Sequence, residues 1–415
     1  MSEIRDLDTL CDVIQRIVQD TAAFDIHTHL YSKEFGDLLL RGPESLICYH
    51  YLQAETNRVL TDLSPAELIA LSQPEQARLI WKSLFVDRSP LSEATRGVIT
   101  ALNRLGAPNV RDYEATLAHF AGLSATEHID LVFKSANVSS VIMTNDPLDA
   151  LEADAWSAGG TTDARFKAAL RIDSILVNWL ATCLRMEQMG YAVHAGLPTR
   201  TYAEIRRFLN EWIARMQPIY MAVSLPCHFT MPDDSFTGRI LEEVVLPLCR
   251  EHGLPLAMMA GTRRGMMPDL GDAGDGMGRC DLSAMAYLCR KYPANKFMLT
   301  VLARENQQEA IVLARKFRNL HLFGCWWFNN NPSVIEEITR ARMEMLGVSF
   351  TPQHSDARIL DQLVYKWAHT REILVDVLCE KYSYLLQEGW FPTENEIARD
   401  VARLLGGAFT DFIEM

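Results

Sequence analysis

Ala23-Phe-Asp25-Ile-His27-Thr-His29 is a short apolar run that ends in two histidines two residues apart. In a strand, such residues share a face, so His27 and His29 are expected to project together from the strand's end. Two imidazoles on one face suit zinc or a similar divalent ion. The pattern alone is weak: 11 His in 415 residues produce about 0.3 such pairs by chance. What gives it meaning is the alternation that follows.

Seven further runs resemble Ala23–His29: 139–145, 168–172, 220–225, 255–260, 296–302, 321–326 and 348–353. Most are nearly continuous apolar stretches, as expected of strands covered on both faces. Helical patterns of crossover length lie between the later ones, at 239–252, 283–292, 306–317 and 332–346, the last opening with Pro332. Eight strand–helix repeats imply an α/β fold, a distorted (β/α)8 TIM-type barrel. An open doubly wound sheet is the alternative, but no G-x-G-x-x-G follows the first run. The expected organisation is one domain over 1–415. Segment 31–138, with a capped helix start at Ser64-Pro-Ala-Glu67, is read as a helical insertion near the mouth. The tail is expected to be helical over 394–405 and broken at Gly406-Gly407.

Hydrophobic residues make up 48% and charged residues 22%, which excludes dominant disorder. A net charge of −13 argues against a nucleic-acid partner. It also requires that any anionic substrate be met by a local positive field. Nine cysteines, none in C-x-x-C spacing, are expected to be reduced thiols of a cytoplasmic protein. The first twenty residues read as an amphipathic helix, with Leu7, Leu10, Ile14, Ile17 and Val18 apolar, and no segment reads as a membrane span.

Just past the eighth run comes Gln353-His-Ser-Asp356-Ala-Arg358. In a closed barrel the eighth strand lies beside the first, so Asp356 can approach His27 and His29 as a third ligand or a base. The competing reading makes Asp356 the N-cap of a helix beginning near Ala357. Arg171, after the third run, and Arg358 are candidates for holding a carboxylate. Arg263 and Arg264 are weaker ones, and His228 and His354 are spare imidazoles near the mouth. Trp326 and Trp327, as neighbours in a strand, are expected to face opposite ways, one lining the pocket and one in the core.

Asp25-x-His27-x-His29 with Asp356 resembles the amidohydrolase superfamily. Tyr49-His50-Tyr51, Thr144-Asn-Asp-Pro147, Ala169-Leu-Arg171-Ile-Asp173, Gly324-Cys-Trp326-Trp327-Phe-Asn329 and Ser355-Asp356-Ala-Arg358 narrow the resemblance to the uronate (glucuronate) isomerases. It runs in order through nearly the whole chain. It implies reversible aldose–ketose isomerisation of D-glucuronate to D-fructuronate, and of D-galacturonate to D-tagaturonate, through a cis-enediol. It also implies one divalent ion on His27, His29 and Asp356, Zn2+ foremost, with Mn2+, Fe2+ or Co2+ also accommodated. Asp356 would be the base, and Tyr51 and Arg358 would contact the reacting oxygens. His50, Arg171, Trp326 and Trp327 would bind the sugar, and the chain would form a homo-oligomer. The alternative is a mononuclear hydrolase, a lactonase or deaminase. The fourth run ends Ser224-Leu-Pro-Cys227-His228, the fifth holds Met258 and Met259, and the sixth ends Val301-Leu-Ala-Arg304, so the bridging ligands of binuclear hydrolases are missing. Met258 stands where longer isomerases have a nearby His.

Overall fold

A computed structural model describes residues 3–415. Its strands are β1 (Ala23–Thr28), β2 (Val138–Asn145), β3 (Phe166–Arg171), β4 (Met221–Pro226), β5 (Leu256–Arg263), β6 (Gly276–Met277), β7 (Phe297–Val301) and β8 (Leu320–Leu322). β1-β2-β3-β4-β5-β7-β8 form one parallel sheet in that order, and the two-residue β6 folds back antiparallel on β5. Each parallel step is bridged by helix, as chain reversal between parallel neighbours requires. The fold is therefore the expected distorted barrel.

The eighth expected strand does not form. Residues 348–353 contribute only an isolated parallel bridge, Phe323 with Thr351. Pro352 has no N–H to donate. The Thr351 N–H donates to the Leu322 carbonyl at 3.0 Å and its carbonyl accepts from the Gly324 N–H at 2.8 Å; beyond it side-chain amides take over, with Gln353 Oε1 accepting from the Cys325 N–H at 3.2 Å and Gln353 Nε2 donating to Asn330 Oδ1 at 3.1 Å. Closure onto β1 comes one step later. The Asp356 N–H donates to the His27 carbonyl at 3.2 Å, and the His29 N–H donates to the Ala357 carbonyl at 2.8 Å.

Two apolar regions follow from strand alternation. Ile26, Ile142, Ala169, Ala222, Ala257 and Met259 fill the barrel interior. Val141, Leu170, Val223, Met258 and Leu299 belong to the outer layer beneath the helices. Met258 therefore faces away from the mouth, and Met259 is the fifth-strand methionine inside the barrel. The expected break at Gly406-Gly407 is a kink: helix Glu394–Ala402 passes through a widened turn, Arg403–Gly407, into helix Ala408–Glu414. Gly406 has φ +129° and lies against Phe24, where a side chain would overlap the Phe24 Cβ. The kink delivers Phe409 and Phe412 into the barrel interior from the end opposite the histidines' mouth.

Between β1 and β2 run seven α-helices, from Pro43–Ile47 to Ala125–Ala136. Ser64 and Glu67 cap each other reciprocally, as their spacing indicates. The long helix Gln362–Gln387 packs against the first helix, Leu7–Asp20, and against Glu93–Arg104, Ala125–Ala136 and Pro332–Leu346. It starts five residues after Ala357, so Asp356 is not its N-cap. Among the described residues, no helix is long and apolar enough to cross a membrane.

Candidate metal centre and active site

β1 carries a bulge at its end. Asp25 pairs with Val141 and Thr28 with Met143, so three steps along β1 match two along β2. The extra residue lets Ile26 fill the barrel interior while His27 also turns inward, its ring lying near Phe323 and His354. Asp25 turns instead toward helix Gln362–Gln387. Its buried carboxylate accepts from Trp367 Nε1 at 2.8 Å and from the Ser355 N–H at 3.1 Å. The first residue of the D-x-H-x-H pattern thus clamps the loop that carries Asp356. Burial pushes the Asp25 carboxyl up to about 6, against those hydrogen bonds.

The Asp356 backbone is left-handed, with φ +53°, a conformation that asparagine and aspartate tolerate best. It brings Oδ1 to 3.7 Å from His27 Nε2 and 3.4 Å from His29 Nε2. One ligand atom from each of the three residues lies within 4.8 Å of the others, and among the described residues this is the one such group. Each imidazole is oriented from behind by a hydroxyl. Tyr220 Oη donates to the Ile26 carbonyl at 2.8 Å and lies 3.1 Å from His27 Nδ1. Thr144 Oγ1 donates to the Thr28 carbonyl at 2.8 Å and lies 3.1 Å from His29 Nδ1. Because each hydroxyl proton is committed to a carbonyl, each Nδ1 must carry the ring proton, which leaves Nε2 as the open lone pair.

Burial, aided by the charges of Arg171 and Arg358, holds both imidazoles neutral: His27 is depressed to about 3, and His29 lies well below the ordinary range. Neutral imidazole is the form that binds metal. His27 Nε2 and Asp356 Oδ1 are buried without a hydrogen-bond partner, a costly arrangement that a cation would relieve. Two nitrogens and a carboxylate oxygen fit a borderline divalent ion with open positions.

Other buried, partnerless polar atoms surround the triad: His50 Nε2, Tyr51 Oη, Trp327 Nε1 and both ring nitrogens of His354. His50 and Tyr51 open helix His50–Val59, which places the insertion at the mouth. The His50 ring lies 4.6 Å from Tyr51 and 5.7 Å from Trp327. The tryptophans do not face opposite ways on a strand, because β8 ends at Leu322 and Trp327 begins a 3-10 turn with φ +45°. Their rings lie 6.3 Å apart in the same interior group. Trp327 meets His50, and Arg264 lies 5.7 Å over its ring.

A cavity of about 820 Å³ opens beside β3–β5, lined among others by Arg171, Ser224, His228, Thr262, Arg263 and Arg264. Arg171 is held by both oxygens of Asp173, at 3.0 and 3.1 Å. Arg358 Nη1 pairs with Asp272 Oδ2 at 3.0 Å. Arg171, Arg264 and Arg358 thus stand at the mouth, each paired with an aspartate, and Arg263 joins them on the cavity wall. Sequence reasoning missed the roles of Asp25, Thr144 and Tyr220. The first two lie within segments already singled out; Tyr220 opens the fourth run with no local mark of its task.

No family model and no curated protein sequence matches the chain. Among solved structures, the uronate isomerase of Bacillus halodurans C-125 superposes with a TM-score of 0.97 at 48% identity, covering 99% of this chain and 97% of that one. A uronate isomerase from Thermotoga maritima (TM-score 0.79, 14% identity, 99% and 100% covered) and a glucuronate isomerase from Caulobacter crescentus (0.75, 15%, 97% and 94%) share the fold. With near-half identity over essentially its full length, and with a His27–His29–Asp356 centre at the barrel mouth, the chain belongs to the uronate isomerase family.

Proposed function

We propose that this protein is a uronate isomerase that interconverts D-glucuronate with D-fructuronate and D-galacturonate with D-tagaturonate. The observation that carries this reading is the buried His27–His29–Asp356 triad in a chain 48% identical to a uronate isomerase across its length. The same identity favours it over a lactonase or deaminase. His27, His29 and Asp356 would hold a divalent ion, Zn2+ first among the choices, and such an ion would supply positive charge to an anionic sugar.

The chain's own groups do the rest. Arg171, fixed by Asp173, adds to the anchoring of the carboxylate. Asp356 removes the proton at C2, which ends at C1 in the ketose. Tyr51 and Arg358 hydrogen-bond the C1 and C2 oxygens and stabilise the enediolate. Arg358 spends one nitrogen on Asp272 and retains further donors for the sugar. Tyr51 carries the proton from one oxygen to the other. Burial and the Asp356 charge hold its phenol well above the usual range, so it is protonated at the start. His50, Trp326 and Trp327 wall the sugar.

The nine unpaired cysteines support a cytoplasmic setting. Exposed Leu180 and Leu184, one turn apart on helix Trp179–Gln188, support a homo-oligomer. Proton NMR of metal-loaded protein with each hexuronate in D2O tests the function. Appearance of the ketose is expected; no turnover of either sugar at one metal per chain would refute it.

A further inference from the structure

Helix Gln362–Gln387 brings a positive charge to the site that no sequence pattern marks. Lys366 is 3% exposed, and its Nζ is buried with no hydrogen-bond partner. Two aromatic faces flank the ammonium group: the Tyr51 ring, whose centroid is 5.5 Å away, and the Tyr365 ring at 5.8 Å. The carboxylates of Asp356, of Asp25 on β1 and of Glu93 on helix Glu93–Arg104 face it, and so do the imidazoles of His50 and His354. Burial pulls the amine down to about 8 while the three carboxylates support its charge.

An unpaired buried ammonium is an expensive way to fill space, and an apolar side chain of similar length would pack there at lower cost. Helix packing does not account for it. The groups around it do: Tyr51 Oη and His50 Nε2 are themselves buried and partnerless, and Asp356 is a member of the triad. Tyr51, His50 and Asp356 belong to the site and Asp25 to the clamp behind it, whereas Glu93 and Tyr365 lie outside both.

We infer that Lys366 is a positioning residue for the isomerisation: its ammonium group braces the Tyr51 ring from behind and offsets the negative charge that builds on the sugar oxygen bonded to Tyr51. In the proton shuttle, Tyr51 gives its proton to one enediol oxygen and recovers one from the other. Lys366 exchanges no proton and acts through the field at the phenol. This inference rests on the isomerase reading above.

Its test compares metal-loaded wild type, K366M, Y51F and the double variant with D-glucuronate. K366M should lose more than about tenfold in kcat, with KM within about threefold, metal content unchanged and a melting temperature equal to or above wild type. The double variant should be no more than about twofold slower than Y51F, because Lys366 acts through Tyr51. A smaller kcat loss in K366M, or losses that multiply in the double variant, would overturn the inference. If K366M fails to fold or to hold metal, K366A with added methylammonium decides: partial recovery of kcat supports it, and no recovery overturns it. No turnover by wild type would instead sink the isomerase reading itself.

Discussion

Replacing Tyr220 by Phe removes one hydroxyl and almost no volume. That hydroxyl lies 3.1 Å from His27 Nδ1 and 2.8 Å from the Ile26 carbonyl, and both residues are buried. Without it, two buried groups lose their partner at once, and each such loss costs about 1–3 kcal/mol. The buried phenolic hydroxyl is also removed, which offsets part of the cost, so a net destabilisation of about 2–4 kcal/mol is expected. The second effect is on the ligand. Once its Nδ1–H has no acceptor, His27 no longer favours the tautomer with a free Nε2. Metal affinity should fall about 10–100-fold, as is typical when a hydrogen bond behind a ligating histidine is lost. Titration of metal against a competing chelator reads the affinity, and urea denaturation reads the stability. At saturating metal, kcat should stay within about threefold of wild type, because Tyr220 faces the imidazole and not the sugar. T144V should reproduce the affinity loss through His29, whose Nδ1 lies 3.1 Å from the Thr144 hydroxyl. A folded Y220F that binds metal within about twofold of wild type would show that the Tyr220 hydroxyl does not orient His27 for a metal.

Asp356→Asn should keep the fold and lose about 10²–10⁴ in kcat, the range for a lost general base; steady-state kinetics at saturating metal check it. Glu152 is buried, and burial pushes its carboxyl up to about 7 from 4.5 although Asn145 Nδ2 and the Asp146 N–H donate to it. Because its folded pKa is the higher one, its contribution is full below about 4.5 and is lost as pH rises through 7. The stability of wild type relative to E152Q should therefore fall by about 3 kcal/mol between those values, measured by denaturation at a series of pH; an unchanged difference would contradict the assignment. Gly324 has φ +66°, and a Cβ there would overlap the His354 ring. G324A should cost about 2–4 kcal/mol, read from its urea midpoint.

The grouping of His27, His29 and Asp356 was legible in the sequence because its parts obey local rules. His27 and His29 share a strand face, and Asp356 follows the segment that must close the barrel. Seven strand positions were legible for a similar reason: parallel strands covered on both faces leave continuous apolar runs. The eighth was not, because backbone pairing stops after Thr351 and Gln353 bonds onward through its side-chain amide, which an apolar run cannot report. The hydroxyls behind the imidazoles were hidden because Tyr220 precedes β4 and Thr144 lies on β2, and only closure of the barrel brings them to β1. Lys366 was hidden because a lysine in a helical pattern ordinarily reads as a solvated face. Here the helix is packed on several sides, and the residue is buried. The kink at Gly406 read as a helix end because glycine breaks the pattern, whereas its task is close contact with Phe24.

Isomerase activity during metal removal and return tests whether the His27–His29–Asp356 group works as a metal centre. The protein is depleted with a chelator, a divalent ion is added back in steps, and ketose formation from D-glucuronate is followed alongside metal content. Activity should vanish on depletion and return in proportion to occupancy, reaching its plateau at about one ion per chain, as the one such group among the described residues, His27–His29–Asp356, requires. Full turnover by protein holding less than about a tenth of an ion per chain would rule out a metal-dependent isomerase.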